Sequence, residues 1–207
     1  MAASKLHIPV FHVEAGLRSY NKLMPEEQNR VLTDHISDLL LCPTETAVNN
    51  LKREGITSGV INTGDIMYDA ILCNIEISKK RYSNGAWIDE LRNNNDKIIK
   101  IDEKQYYLAT IHRAENTDDP NKLRTIINAF EQLDKPIIMP LHPRTRKLIE
   151  EQNISIKNII IVKPVGYLLM LYLTLNAYMV LTDSGGLQKE AYFLKTPCTT
   201  LREQTEW

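Results

Sequence analysis

Residues 181–191, LTDSGGLQKEA, follow an apolar, strand-like run and lead into a helix-like segment. Ser184 is a typical helix N-cap. Gly185 and Gly186 let backbone N–H groups approach a ligand, and free N–H groups at a helix N-terminus attract phosphate oxygens. Glu190, on the same helix, can accept hydrogen bonds from a ribose diol. The stretch therefore predicts a strand–turn–helix unit with a candidate nucleotide site, and the alternative is an ordinary capped helix.

The same alternation of strand-like and helical runs extends over 106–207. The strand candidates there are YYLATIH, PIIMPLH, IIIVKPV, YMVLTD and CTTL. One predicted helix between them carries its apolar residues on a single face: Leu123, Ile126, Ile127, Phe130 and Leu133. The apolar run 167–181 is too short for a membrane span and predicts a buried helix followed by a buried strand. Alternation of this kind predicts a Rossmann-like domain with a parallel sheet.

The first part of the chain repeats the pattern on a smaller scale. IPVFHVE, LLLCPT and VINTG are strand candidates, and they are separated by the helical segments PEEQNRVLTDHISDLL and TETAVNNLKREG. Three strands are too few for a complete domain of this type, so residues 1–66 predict half of a Rossmann-like domain. Residues 67–105 predict a connecting helix and an Asn-, Asp- and Lys-rich linker. The fold class is therefore α/β, with two Rossmann-like domains of which the first is incomplete.

Composition narrows the possible partners. The 207 residues are 43% hydrophobic and 25% charged, with a formal net charge of −1. These values indicate a globular protein and give no electrostatic reason to expect a nucleic acid or a membrane as partner. Cys42, Cys73 and Cys198 stand in apolar contexts, which favours buried thiols in a reducing cytoplasm. No charged-then-apolar signal segment opens the chain.

The segment 12–30, HVEAGLRSYNKLMPEEQNR, gathers carboxylates and arginines. His12 and Glu14 alternate about Val13, so both would point to one side of a strand. Pro25 predicts the first turn of a helix that carries Glu26. The helical periodicity predicts a polar face of Glu26, Asn29, Arg30 and Thr33 and an apolar face of Val31, Leu32, His35, Ile36 and Leu39. Carboxylates near each other and near arginines can act as an acid–base pair, although a solvated face is the usual alternative.

Two further loops follow predicted strands, where open α/β sheets bind ligands. In ATIHRAENTDDP, His112 and Arg113 are suited to a pyrophosphate. In PLHPRTRK, His142 leads a basic loop at the end of the next strand. The alternative for both is a solvated surface loop, and for the second that alternative is common.

Seven ordered motifs resemble one known family, the non-hydrolysing UDP-N-acetylglucosamine 2-epimerases. They are HVEAGLR, PEEQNR, PTET, TGDIMYDA, HRAEN, LTDSGGLQKEA and LREQTEW. The resemblance implies a glycosyltransferase-B-like architecture and epimerisation at C2 between UDP-N-acetylglucosamine and UDP-N-acetylmannosamine, which supplies cell-surface polysaccharide precursors. The implied route is anti elimination of UDP followed by re-addition on the other face, with neither a metal nor a cofactor.

The resemblance also implies roles for individual residues. Glu14, Glu26 and His112 match catalytic positions. UDP-sugar binding is implied for Arg113, His142, Ser184, Gly185, Gly186, Glu190 and Arg202. Gln28, Asn29 and Arg30 resemble positions that hold a second, activating UDP-N-acetylglucosamine, and intact members are expected to be homodimers.

Departures from the family pattern predict an internal fragment that lacks both termini. A segment with a third catalytic carboxylate is missing upstream, and Leu169 stands where an Asp is common. We therefore expect no appreciable epimerase activity from these 207 residues alone. Two alternatives stay open at this stage: a glycosyltransferase of similar architecture, and a non-catalytic nucleotide-sugar-binding protein.

Overall fold

The computed structural model describes residues 2–93, 95–141, 146, 148–149 and 156–202. The chain forms two compact units, one within residues up to Ala70 and the other over Ile71–Arg202. Each unit contains one sheet in which all strands are parallel. The predicted α/β class with two parallel sheets is confirmed.

The first unit contains three strands and three short helices. In chain order they are α1 (Ala2–Lys5), β1 (Phe11–Val13), α2 (Pro25–Ile36), β2 (Leu39–Cys42), α3 (Glu45–Arg53) and β3 (Val60–Asn62). The strand order is β1-β2-β3. Thr44 caps α3 by accepting a hydrogen bond from the Ala47 N–H at 3.2 Å. The three predicted strands are confirmed, and a small core forms around Leu40 and Leu51.

Helix α2 differs from its predicted amphipathic pattern. Leu32 and His35, assigned to the apolar face, are exposed, whereas the buried residues of the helix are Glu27 and Asp34. The two buried carboxylates lie seven residues apart and therefore share one face. They accept hydrogen bonds from the preceding loop, so this helix packs through polar contacts and the apolar-face prediction is wrong.

The second unit contains five strands, and all five predicted strands are confirmed. Helix α4 (Ile66–Tyr82) begins before it, and the further elements with bounds within the described residues are α5 (Ala86–Glu90), β4 (Tyr107–Thr110), α6 (Ala114–Thr117), α7 (Pro120–Phe130), β5 (Ile137–Pro140), β6 (Ile159–Val162), α8 (Tyr167–Asn176), β7 (Met179–Thr182), α9 (Gly185–Phe193) and β8 (Cys198–Thr200). The strand order is β6-β5-β4-β7-β8. In chain order, β5 and β6 are added on one side of β4, and β7 and β8 are then added on its other side. The direction of strand addition therefore reverses between the neighbours β4 and β7.

Most of the sheet of the second unit is buried on both faces, whereas the edge strand β8 has no buried residue. Along β4, Leu108 belongs to one hydrophobic cluster and Tyr107 and Ala109 to another, as the alternation of a strand requires. Helices α8 and α9 contribute to the first cluster, and α7 contributes Leu123 and Ile127 to the second. Burial on both faces explains why these strands appear in the sequence as continuous apolar runs.

The segment 83–105 is better packed than its polar composition predicts. Trp87 and Leu91 are buried, and the Trp87 ring lies 6.0 Å from that of Tyr172 and 6.5 Å from that of Tyr106. A few large apolar side chains thus anchor a segment that is otherwise largely polar.

The cysteines differ in exposure. Cys42 is buried, Cys198 is half-buried and Cys73 is exposed, so the prediction of a buried thiol is wrong for Cys73. Within the part of the chain that the structure describes, no helix is long and apolar enough to cross a bilayer.

Candidate functional site

The carboxyl ends of β4 and β7 carry most of the candidate nucleotide-binding residues. These strands are direct neighbours, with Thr110 opposite Thr182, and their side-chain oxygens lie 2.6 Å apart. His112 and Arg113 follow β4, and Ser184 follows β7. Open α/β sheets bind ligands at such a point, where the strand order reverses. The structure therefore brings together two loops that lie far apart in the sequence.

Asp183 joins the two loops. Its side chain is fully buried, and its Oδ2 accepts hydrogen bonds from the backbone N–H groups of His112 (3.0 Å) and Arg113 (2.9 Å) and from Asn116 Nδ2 (3.1 Å). The other oxygen, Oδ1, lies 3.1 Å from His112 Nδ1. Burial opposes ionisation, but the bonds from His112, Arg113 and Asn116 hold the pKa of Asp183 below its usual range. These bonds fix the backbone of residues 112–116 against β7, while the side chains of His112 and Glu115 remain exposed.

The N-terminus of α9 has the predicted cap. Ser184 Oγ accepts a hydrogen bond from the Leu187 N–H at 3.3 Å, and the Ser184 N–H donates to Thr182 Oγ1 at 2.9 Å. Gly185 and Gly186 form the first turn, and Gly185 is buried. The first-turn N–H groups of this helix are therefore donors at the carboxyl ends of β4 and β7, where the strand order reverses and a ligand is expected; this place is called the β4–β7 crevice below.

Glu190 lies one turn further along α9 and is almost fully buried, at 9% exposure. Burial raises the pKa of this carboxyl to about 7. The pKa of the Tyr167 phenol is also raised, mainly by burial and to a smaller extent by the nearby charge of Glu190. A buried carboxyl whose pKa shift comes from burial alone is costly for folding, and such groups cluster at functional sites.

Two further predicted binding residues follow other strands. Arg202 comes just after β8, its side chain is 3% exposed, and its Nε lies 3.7 Å from Glu115 Oε1. His142 lies outside the described residues.

The two predicted catalytic carboxylates belong to the first unit. Glu14 is half-buried and has a φ of 65°, in the left-handed region that non-glycine residues seldom adopt. Strand β1 ends at Val13, so the expected alternation of His12 and Glu14 on one strand face is wrong. Glu26 is exposed in the first turn of α2.

A second buried carboxylate, Asp34, organises the loop around Glu14. It lies 2.6 Å from His12 Nδ1 and accepts hydrogen bonds from the Gly16 N–H (3.1 Å) and Arg18 Nη1 (2.7 Å). Burial opposes ionisation, but the bonds from His12 and Arg18 lower the pKa of Asp34. Gly16 has a φ of 79°, and a Cβ there would lie 2.4 Å from the Ala47 carbonyl oxygen, so only glycine fits. These contacts restrain the backbone on both sides of Glu14.

Glu27, the neighbour of Glu26, connects helix and loop. Its carboxylate accepts hydrogen bonds from the backbone N–H groups of Ser19 and Tyr20, both at 2.9 Å. Beside it lies a cavity of about 460 Å³, lined by Arg18, Tyr20, Lys22, Glu27, Gln28, Val31, Leu32 and Glu54. Of the predicted second-site residues, Gln28 lines this cavity, Asn29 is exposed, and Arg30 Nε lies 3.6 Å from Glu27 Oε2.

Asp34, Glu27 and Asp183 were not among the candidates from sequence. Glu27 and Asp34 lie seven residues apart on one helical stripe, a spacing that the sequence shows, but their burial is visible only in the structure. Among the side chains that the structure describes, no group of three or more His, Cys, Asp or Glu residues could hold a metal ion.

Comparison with known proteins shows the family of this chain. The family described as UDP-N-acetylglucosamine 2-epimerase matches residues 1–207. The chain belongs to this epimerase family. A Methanococcus maripaludis protein named as a UDP-N-acetylglucosamine 2-epimerase homolog is 54% identical over 212 residues, which cover all of this chain and 57% of that protein. A Pseudomonas aeruginosa UDP-2,3-diacetamido-2,3-dideoxy-D-glucuronate 2-epimerase is 45% identical, again over the whole chain and 55% of the relative.

A solved structure of the epimerase family has a similar fold. The Methanocaldococcus jannaschii UDP-GlcNAc 2-epimerase, crystallised in complex with UDP-GlcNAc and UDP, has a TM-score of 0.85 and 47% sequence identity. The match covers 99% of this chain and 56% of that one. The chain thus spans a little over half the length of the epimerases that it resembles.

Proposed function

We propose that the intact protein catalyses epimerisation at C2, interconverting UDP-N-acetylglucosamine and UDP-N-acetylmannosamine. The observation that carries the proposal is the β4–β7 crevice, where His112, Arg113 and the capped N-terminus of α9 meet around Asp183. Membership of the epimerase family favours this reaction over transfer of the sugar to an acceptor.

In the proposed reaction the crevice holds UDP, with the UDP-binding residues all within 106–207. The first-turn N–H groups of α9, together with His112 and Arg113, stabilise the negative charge that develops on the diphosphate as the C1–O bond breaks. Glu190 accepts from the ribose hydroxyls, and Arg202 and His142 are assigned to the same UDP-sugar. These residues provide for departure of UDP and for its return.

The proposed acid–base pair is Glu14 and Glu26. One carboxylate removes the C2 proton as UDP leaves in an anti elimination, and the other delivers a proton to the opposite face of C2 when UDP adds back. The hydrogen bonds of Asp34 on both sides of Glu14, and those of Glu27 beside Glu26, support this assignment because they restrain the two backbone segments.

The test is solvent exchange at C2. UDP-N-acetylglucosamine is incubated with the protein in D₂O without acceptor, and proton NMR follows loss of the H2 signal and appearance of the epimer. Glu14→Gln and Glu26→Gln are expected to abolish exchange while UDP affinity, measured by calorimetry, is retained. Gly185→Val and Glu190→Ala are expected to weaken UDP binding. Turnover only after an acceptor is added would instead indicate a glycosyltransferase, and UDP binding without exchange a non-catalytic binding protein.

A second candidate substrate is UDP-2,3-diacetamido-2,3-dideoxy-D-glucuronate. The 45% identity to an enzyme named for that sugar, over the whole of this chain, supports it. The C2 chemistry would be the same, but the sugar carries a carboxylate and a second acetamido group. Offering both UDP-sugars separately in the same exchange assay decides between them, because the preferred substrate has the higher kcat/KM.

Three further assignments complete the proposal. Gln28, Asn29 and Arg30 hold a second UDP-N-acetylglucosamine, and Gln28 supports this through its place in the wall of the 460 Å³ cavity. The intact protein is a homodimer, as the family resemblance implies. It works in the cytoplasm on polysaccharide precursors, which is supported by three free cysteines and the absence of disulfides among them.

A further inference from the structure

Asp183 contacts both the backbone and the ring of His112. Its Oδ2 accepts from the His112 and Arg113 N–H groups and from Asn116 Nδ2, while its Oδ1 faces His112 Nδ1 at 3.1 Å. The carboxyl is fully buried, and its bonds hold its pKa below the usual range. At neutral pH it is therefore ionised and can only accept hydrogen bonds.

The ionised carboxylate determines the tautomer of His112. Because Asp183 has no proton to donate, the contact is a hydrogen bond only if His112 Nδ1 carries the proton. The His112 side chain is 53% exposed, and Nε2 lies on the side of the ring away from Nδ1. The imidazole is thus held at one edge and open at the other, at the mouth of the β4–β7 crevice.

We propose that Asp183 is a positioning residue that holds His112 in the Nδ1–H tautomer, with Nε2 directed toward the diphosphate of the bound nucleotide. This inference rests on the proposed function, which places UDP in the crevice. When a phosphate oxygen occupies this position, only a protonated Nε2 can donate to it, so the ring takes up a second proton from solvent at Nε2 and donates from there. Both ring nitrogens are then hydrogen-bonded, one to Asp183 and one to the phosphate, in a charge-assisted arrangement.

Asp183→Asn gives a sharp test because the Arg113 N–H and Asn116 Nδ2 donate to Oδ2 alone, while the His112 N–H lies 3.0 Å from Oδ2 and 3.2 Å from Oδ1. The three donors to Oδ2 require an acceptor, so the oxygen of the substituted amide should take that place and its NH₂ group should face His112. An NH₂ group can only donate, so His112 Nδ1 must now be the acceptor and the proton must move to Nε2. The substitution keeps the shape of the residue and reverses the tautomer.

The measurement is long-range ¹H–¹⁵N NMR of the histidine-labelled chain at pH 8, without ligand and then with UDP. In the parent we expect the Nδ1–H tautomer, with Nε2 protonated on addition of UDP. Asp183→Asn should give the Nε2–H tautomer, whose neutral ring still donates to the phosphate but without the charge assistance, so it should bind UDP about fivefold more weakly. His112→Gln removes the ring and should bind UDP about tenfold more weakly, and the double variant should lose no more than His112→Gln alone, since Asp183 acts on the nucleotide through that ring.

Asn116→Ala is the matched control, because it removes another bond to Asp183 and leaves the ring contact in place. We expect it to keep the Nδ1–H tautomer even if the loop becomes less stable. An Nε2–H ring in the unliganded parent would overturn the proposal without any variant, as would an unchanged UDP affinity in Asp183→Asn alongside a loss in His112→Gln. Failure of the parent to bind UDP would instead refute the proposed nucleotide site, and the tautomer of the unliganded ring would still decide the role of Asp183.

Discussion

Replacing Glu14 with glycine should leave the first unit more stable than replacing it with alanine, the reverse of the usual order. Glu14 has a φ of 65°, where a side chain with a Cβ costs about 1–2 kcal/mol. Glycine removes that cost. Its greater conformational freedom in the unfolded chain, however, lowers the free energy of unfolding by about 0.4–1 kcal/mol relative to alanine. The net expectation is that Glu14→Gly exceeds Glu14→Ala in stability by about 0.5–1 kcal/mol. Both variants lose the Glu14 carboxylate, so its own contacts cancel in the comparison.

Asn49 provides the matched control, because it lies in the middle of α3 in the same unit and is not buried. There Asn49→Gly should be less stable than Asn49→Ala by about 1 kcal/mol. The assay is hydrogen exchange with mass spectrometry in increasing urea, read on peptides that cover β2 and α3. If the glycine variant is less stable than the alanine variant at both positions, then the surrounding structure does not hold residue 14 in the left-handed conformation. In the intact protein, both Glu14 variants should be inactive in C2 exchange, since each lacks the carboxylate.

Asp34→Asn should destabilise the first unit by about 3 kcal/mol, since it weakens a buried ion pair with Arg18. Because the pKa of Asp34 is lowered by folding, its contribution is lost as the pH falls through that depressed value, and urea titrations from pH 7 to pH 3 should show a flatter curve for the variant. Glu190 has the opposite sign: its pKa is raised to about 7 by burial, so the parent loses stability as the pH rises from about 4.5 to 7. Glu190→Gln should remove that loss, stabilising the second unit at pH 8 by up to about 3 kcal/mol while weakening UDP binding, and equal stability of parent and variant at pH 8 would contradict the cost assigned to burial. Trp87→Ala should cost about 3–5 kcal/mol in urea unfolding followed by circular dichroism, whereas an effect below about 1 kcal/mol would mean that the 83–105 segment is not part of the core.

Most of the sheet of the second unit is predictable from sequence because its central strands are buried on both faces. A run such as IIIV in β6 has no polar alternation to interpret, and the turns after β4 and β7 carry their own ligand-binding and capping residues. The candidate site loops could be predicted from their place in the chain. His112 follows β4, Ser184 follows β7, and Glu190 lies on the helix that Ser184 caps.

The parts that could not be predicted depend on contacts between distant residues. Asp183 and His112 are remote in the sequence, and only the pairing of β4 with β7 shows that one is the partner of the other. The hydrophobic periodicity of α2 predicted the wrong buried face, because the buried stripe consists of Glu27 and Asp34, which count as polar in any hydrophobic pattern. The left-handed conformation of Glu14 could not be predicted either, because nothing in the sequence HVEAG indicates that β1 ends at Val13, one residue before Glu14.

The central claim is that the β4–β7 crevice binds the nucleotide. The most direct test is a UDP titration of the ¹⁵N-labelled chain followed by ¹H–¹⁵N NMR, with uridine as the control that lacks the diphosphate. We predict saturable shifts of the backbone amides of His112, Arg113, Gly185 and Gly186 with UDP, and smaller shifts of these amides with uridine. Shifts confined to residues outside 110–116 and 182–190, or none at millimolar UDP, would contradict the account.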